Sequence, residues 1–184
     1  MGRIVYETAT SFDGYIADEH HSLSWLFAVP GGGDPALAPP QAAVQVMGST
    51  TYEWVLAELN ALKHPDEWAN AFGSTHVVVF TRKQRSVPEG ADVRFYAGPV
   101  ADALPTLRKA AGDGDIWVVG GGHLATQFLD AAALDEMVLT VAPVALGQGA
   151  PLLPTRIESD RLTLASAQQV GQFARLTYTV SHPV

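Results

Sequence analysis

The sequence predicts one α/β domain, a mainly parallel sheet flanked by helices and finished by antiparallel strands at one edge. Three observations carry this expectation. Residues 75–81 and 116–119 are continuous apolar runs of strand length, which suit strands covered on both faces. Segments of helical spacing separate such runs over the larger part of the chain. From residue 137 onward the candidate strands follow one another without a helix between them. The chain has 184 residues, no internal repeat and no linker long enough to divide it, so residues 1–184 are expected to form a single domain.

Residues 3–10 are rich in β-branched and aromatic side chains and end at Asp13-Gly14, a turn signal. Gly31-Gly32-Gly33 and Pro39-Pro40 mark a loop that precedes a short helical stretch, where residues 43–47 form a small apolar run stopped by Gly48. Ser49, Thr50 and Thr51 then offer N-cap hydroxyls, and Trp54, Val55, Leu56, Leu59 and Leu62 follow at helical spacing. Residues 93–96 are a weaker strand candidate. Residues 100–111 read as a helix whose Pro105 conflicts with it unless the helix begins nearby. After the strand at 116–119 and Gly120-Gly121-Gly122, an apolar stripe of Leu124, Phe128 and Leu129 marks another helix. Residues 137–144, 162–170 and 173–180 read as strands, the last two joined by Gly171-Gln172 as a hairpin.

Composition removes several function classes. Hydrophobic residues make up 47% and charged residues 16%, enough for a sizeable core and against disorder. Eleven Lys+Arg against nineteen Asp+Glu leave a formal charge of −8, which disfavours nucleic acid as a partner because phosphate attraction needs clustered positive charge. There is no cysteine, so disulfides, thiolate metal sites and a cysteine nucleophile are excluded; the cytoplasm is the simplest compartment. The N-terminal stretch from Met1 meets an acid at Glu7, and the uncharged run 137–155 holds Pro143, Gly147, Gly149, Pro151 and Pro154, so neither a leader nor a membrane span is expected. His20-His21 lack a partner at helical spacing and no H-E-x-x-H occurs, so no metal site is expected. The absence of G-x-S-x-G and of a Walker A lysine motif removes the usual hydrolase and NTPase readings.

In an open α/β sheet, ligands bind beyond the carboxyl ends of the strands, where helix starts present free N–H groups. Three junctions qualify. Gly120, Gly121 and Gly122 lie between a strand and the helix start at His123 and Leu124, an arrangement that lets backbone approach a phosphate; the plain alternative is a tight turn. The G-x-G-x-x-A match of residues 120–125 lacks the acid that should end the next strand of a Rossmann unit, since that strand ends in Ala142-Pro143-Val144. His123 falls in the first helical turn, facing solvent or the phosphates. At Gly48-Ser49-Thr50-Thr51 the alternatives are plain capping by Ser49 or Thr50, or a phosphate grip in which Thr51 joins the free N–H groups. At Thr81-Arg82-Lys83-Gln84-Arg85, three of the eleven basic residues follow a buried strand, either as a solvated loop or as an anion site. Two helix starts for a pyrophosphate and one basic loop for a further phosphate match a phosphorylated dinucleotide.

Residues 10–17 (Thr-Ser-Phe-Asp-Gly-Tyr-Ile-Ala), 47–53, 116–122, Leu134-Asp135-Glu136 and the run 142–152 stand in an order and spacing that resemble dihydrofolate reductases and the reductase domain of the bacterial bifunctional riboflavin-biosynthesis deaminase-reductase. The resemblance runs nearly end to end. It implies a dihydrofolate reductase-like fold, NADPH as cofactor, hydride transfer as the reaction, a small-molecule substrate and a homodimer. It implies that Gly121, Gly122 and the helix start hold the pyrophosphate with Thr51 opposite, and that Thr81 and Arg82 face the adenosine ribose and its 2′-phosphate. Ala9 and Ile16 would hold the nicotinamide carboxamide through backbone groups, residues 20–24 would form the loop over the nicotinamide, and Trp25 and Thr140 would meet the substrate.

The chain departs from its relatives at three positions. Ser49 stands where many dihydrofolate reductases carry an arginine on the 2′-phosphate, which moves that role to Arg82, with Lys83 or Arg85 in reserve. No acid follows Trp25 until Asp34, which argues against dihydrofolate as substrate; Tyr15 replaces a lysine usual in the riboflavin-pathway reductases, which argues against theirs. A small heterocycle of pterin or pyrimidine type, or a carbonyl compound, is the expected acceptor, with Asp13, Asp34 or a bound water as candidate proton donors. The competing reading is a non-catalytic NADP(H)-binding module.

Overall fold

The computed structural model describes residues 2–39 and 41–182; Met1 and Pro40, named above, lie outside the described residues. The chain runs β1 (Ile4–Ser11), β2 (Tyr15–Ala17), α1 (Ser24–Phe27), β3 (Val44–Gly48), α2 (Ser49–Glu58), α3 (Pro65–Phe72), β4 (His76–Phe80), β5 (Val93–Tyr96), α4 (Val100–Ala111), β6 (Ile116–Gly120), α5 (Gly122–Asp130), β7 (Glu136–Ala142), β8 (Ala150–Pro151), β9 (Leu162–Val170) and β10 (Phe173–Val180). Eight strands form one sheet in the order β5-β4-β3-β6-β1-β7-β10-β9, and β2 pairs with β8 separately. The strands from β5 to β7 pair in parallel, and β10 returns antiparallel to both β7 and β9. This is the expected mainly parallel α/β sheet with antiparallel C-terminal strands.

Alternation along the strands divides the core into two layers. Val78, Val46, Tyr6 and Val118 pack on one face with Leu107 of α4 and Phe128 of α5. Val77, Val79 and Met47 pack on the other with Tyr52 and Val55 of α2 and Trp68 of α3. Each fully buried Val, Leu or Phe contributes about 1.5–3 kcal/mol, so these two layers hold the helices to the sheet. No helix among the described residues is long and apolar enough to cross a membrane.

Residues 44–47 are strand, not the short helical stretch expected there. A four-residue apolar run fits either state by pattern alone, and pairing with β4 and β6 on both sides decides it. The helix α3 has Pro65 at its first position and Asp66 and Glu67 in its first turn, favourable start signals that the helical spacing of residues 54–62 overshadowed. Pro105 sits inside α4, which begins at Val100. It and Ala101, whose carbonyl loses its helical partner, are both exposed, so that oxygen is open to solvent.

Candidate functional site

The strands β3 and β6 are parallel neighbours, with Met47 opposite Gly120. The helix after β3 turns to one face of the sheet and the helix after β6 to the other. Such a divergence opens a crevice at the carboxyl ends of the strands, bounded by both helix starts. The N-cap residues are Gly48 for α2 and Gly121 for α5, and neither helix has a side-chain cap. Ser49 and Thr50 therefore do not cap α2, contrary to the plain alternative, and the first N–H groups of both helices are left to the crevice. The two starts are close: a Cβ built on Gly120 would lie 3.6 Å from Thr51 Oγ1, and one on Gly48 3.8 Å from Gly120 O. Gly120 has φ +149°, a conformation that side chains resist.

The short β2–β8 ladder lies against the start of α5. A Cβ on Gly122 would come within 2.4 Å of Pro151 O, so only glycine lets this ladder close over the helix. Ile16 in β2 reaches to 3.5 Å from the position of a Gly121 Cβ. Below lies a cavity of about 520 Å³ lined by Ala9, Ile16, residues 48–51 and residues 120–124, together with His21 and Leu23 from the loop before α1. Every cofactor-side residue expected from the two glycine junctions and from β1–β2 meets in this one space. It is mostly apolar and bounded by two helix starts without side-chain caps, which fits a dinucleotide bridged by phosphates.

Thr81 and Arg82 line an adjoining depression of about 700 Å³ that shares Phe80 and Gln127 with the cavity. Thr81 Oγ1 accepts from the Lys83 amide at 3.1 Å, and Tyr52 donates to Ser86 O at 2.7 Å, which ties the loop to α2. Arg85 is engaged in an ion pair with Glu53, which takes it out of reserve. Arg82 is exposed at the rim of the depression.

A second cavity of about 640 Å³ shares Glu7, Thr8, Ala9, Leu26 and Trp117 with the first and extends to Gly31-Gly32-Gly33, Thr140 and Phe173. Its polar floor joins three strands. Arg175 Nη2 donates to Glu7 Oε1 at 2.6 Å and Nη1 donates to Thr140 Oγ1 at 3.3 Å. Trp117 Nε1 donates to Glu7 O at 2.9 Å, which fixes an indole that lines both cavities. Glu7 is 6% exposed, and burial raises its pKa while Arg175 opposes the rise. Neither Glu7 nor Arg175 was among the expected site residues. The available signal was an acid following the apolar Ile4-Val5-Tyr6 of a central strand.

Three substrate-side or proton-donor candidates stand elsewhere. Asp13 Oδ1 accepts from Ser11 Oγ at 2.6 Å and the Leu146 amide at 3.0 Å, and Oδ2 accepts from the Gly147 amide at 2.7 Å. These bonds, Ser11's first, hold its carboxyl down at about 2, and it lines neither cavity, so it is a loop anchor rather than an acid. Asp34 caps a short 3₁₀ turn, accepting from the Ala36 amide at 2.8 Å, and lies outside the second cavity's lining. Trp25 donates to Ser22 O at 3.1 Å and does not line either cavity; its neighbour Leu26 lines both. One position along a four-residue helix turns the side chain by about 100°, which exchanges the two.

Comparison with known proteins shows the family and the fold. The chain is 29% identical over 178 residues to the uncharacterized protein YwjB of Bacillus subtilis (strain 168), covering 96% of this chain and 97% of that one. A second uncharacterized protein of that organism, YyaP, is 27% identical over 153 residues, 82% of this chain and 79% of its own. Among solved structures, a putative riboflavin biosynthesis protein from Shewanella sp. PV-4 superposes with TM-score 0.73 at 28% identity, covering 99% of this chain and 100% of that one. RibD of Acinetobacter baumannii shares the fold with TM-score 0.69 at 20% identity, and this chain, covered to 99%, spans 59% of it. The family model described as RibD C-terminal domain matches residues 3–174, and with a match of that extent the chain belongs to the RibD C-terminal domain family.

Proposed function

We propose that this chain is an NADPH-dependent reductase that transfers hydride to a small heterocyclic compound of pterin or pyrimidine type, or to a carbonyl compound. The observation that carries the reading is the meeting of two helix starts without side-chain caps, with Thr51 Oγ1 3.6 Å from a Gly120 Cβ position. Two opposed sets of N–H donors suit a pyrophosphate, and exposed Arg82 beside Thr81 suits a 2′-phosphate. Family membership supports the same reading.

When bound, NADPH supplies the hydride. The chain's own residues do the remaining work. Backbone of Gly121, Gly122 and residues 49–51 binds the pyrophosphate; backbone of Ala9 and Ile16 orients the carboxamide; Trp117 and Leu26, lining both cavities, keep water from between the reacting rings. Hydride transfer asks chiefly for this alignment and exclusion of water. Thr140 at the floor of the second cavity orients the acceptor ring. The test is NADPH oxidation against pterins, pyrimidines and carbonyl compounds, with NADPH binding followed in parallel.

One observation favours a second reading, a non-catalytic NADP(H)-binding module: Asp13 and Asp34 are both committed to backbone amides outside the cavities. Tight NADPH binding with no oxidation by any acceptor would select it. We also propose a homodimer. The edge strand β9 has nine residues and no charge, whereas edges that stay unpaired usually carry one. Light scattering on the eluted protein distinguishes dimer from monomer.

A further inference from the structure

We propose that His21 and His123 are the cations of the cofactor site, and that the dinucleotide binds together with protons taken up on these two imidazoles. The inference rests on the reductase reading and adds to it the charge that a phosphate bridge requires. Both side chains line the cofactor-side cavity, His21 from the loop before α1 and His123 from the first turn of α5. Among the described residues that line it there is no Lys or Arg, and the titratable groups are Glu7, His21 and His123.

Charge balance gives the histidines their task. A helix start is equivalent to about half a positive charge, so α2 and α5 together offer about one against the two negative charges of a pyrophosphate. Arg82 lies in the adjoining depression, and Arg175 is paired with Glu7 at 2.6 Å. In a chain of net charge −8 the wider field repels an anion and does not supply the difference. Imidazole can supply it, because it gains its proton between pH 8 and 5 and a neighbouring phosphate favours the charged form.

The surroundings leave both rings available. His20, His76 and His182 stand 3.8, 2.8 and 3.2 Å from the carboxylates of Glu19, Asp92 and Asp135, whereas His21 and His123 have no such partner among the described residues. Beside His21, Asp18 Oδ1 accepts from the amides of His20 and Ser22 at 2.9 and 2.8 Å, and Glu19 Oε2 accepts from Gln148 Nε2 at 2.6 Å. The first turn of α5 holds no acid beside His123. His21 also has φ +59°, which glycine adopts freely and other residues resist. A histidine kept there, on the lining of the cavity, fits a side chain that acts in the bound state.

Phosphate beside the imidazoles raises their affinity for protons, so binding takes protons up and tightens as pH falls from 8 to 6. The 2′-phosphate works in the opposite direction, since it loses charge over the same range. The contribution of the histidines is therefore the difference between the unaltered chain and its variants.

The experiment follows the imidazole C–H signals of the full chain by NMR from pH 8 to 5, with and without saturating NADP+, the acid-stable form of the cofactor. His21→Gly and His123→Gln assign the signals; glycine relieves the backbone at 21, and glutamine keeps a polar side chain at an exposed position. The titration midpoints of His21 and His123 are expected to rise by about half a unit or more on binding, while those of His64, His76 and His182 stay in place. By calorimetry, the unaltered chain is expected to gain about fivefold or more in NADP+ affinity from pH 8 to 6 relative to the double variant. The midpoints are read on the unaltered chain, so they do not depend on how well a variant folds. Absence of any imidazole midpoint that moves on binding, or a pH dependence that the double variant keeps in full, overturns the proposal. If NADP+ binds at no pH, the reductase reading falls and this one with it; binding without movement of the two midpoints removes the histidines alone.

Discussion

Thr51 Oγ1 and the open side of Gly120 face each other across a gap of 3.6 Å to a Cβ position, although one begins a helix after β3 and the other ends β6. The contact exists because the two strands are neighbours and their helices leave to opposite faces. Backbone donors from both sides are thereby brought to one point. The proposed binding of a doubly charged bridge would follow from that topology more than from any single side chain.

Gly121→Ala and Gly120→Ala separate this site from the fold. A methyl on Gly121 meets Ile16 Cδ1 at 3.5 Å, an ordinary contact, and Gly121 has negative φ. That variant should melt within a few degrees of the parent yet bind NADPH about tenfold more weakly, because the methyl stands where backbone must approach the ligand. Gly120→Ala meets a φ of +149° and should also lose about 1–3 kcal/mol of stability. Fluorescence titration of NADPH and urea unfolding check the pair. A Gly121→Ala protein with undiminished affinity would place the pyrophosphate elsewhere.

Arg82→Ala should discriminate the two nicotinamide cofactors. Arg82 lines the depression beside Thr81, whereas Arg85 is already paired with Glu53. A charge-assisted hydrogen bond contributes about 1.5–3 kcal/mol, so loss of Arg82 should weaken NADPH about 10- to 100-fold and leave NADH nearly unchanged. Arg85→Ala should do much less to either. Equal loss for both cofactors on Arg82→Ala would remove the 2′-phosphate from this loop.

The strand and helix limits at residues 100–111, 162–170 and 173–180 could be read from the sequence, because long segments and a Gly-containing hairpin declare themselves locally. The short run at 44–47 could not, since its state is set by neighbours on either side. The glycine junctions were legible because close approach of backbone leaves a compositional mark. The Glu7–Arg175 pair was not: its members stand 168 positions apart, and only the antiparallel return of β10 beside β7 brings them together. Trp25 and Leu26 show a finer limit, since resemblance located the helix but not which of its residues faces inward.

Asp13 gives a pH signature with a defined sign. Its folded pKa is held near 2 by Ser11 and the amides of Leu146 and Gly147, below the ordinary value of 3.8. A carboxyl with a depressed folded pKa lends stability that is fully present above the unfolded value and is lost as pH falls through the folded one. The melting difference between the parent and Asp13→Asn should therefore be constant from pH 8 to 5 and shrink between about pH 4 and 2. Near-UV circular dichroism during thermal melts measures it. A difference that changes between pH 7 and 5 would point to another titrating group.

Arg175→Met tests what holds the polar floor together. The parent pairs a guanidinium whose side chain is 18% exposed with a carboxylate whose side chain is 8% exposed, so removing the cation strands Glu7 in a poorly solvated place. Breaking a buried pair on one side typically costs about 3–5 kcal/mol, and the loss should appear in urea unfolding at pH 7.5. The folded pKa of Glu7 is already raised by burial, and without Arg175 that rise is unopposed. A raised carboxyl pKa makes the charged form a liability that is present above the folded value and relieved as pH falls through it. The variant should consequently regain part of its stability at pH 5, while the parent, with the pair intact, should change less. A deficit independent of pH would mean that lost packing of the arginine stem, and not the stranded charge, sets the loss.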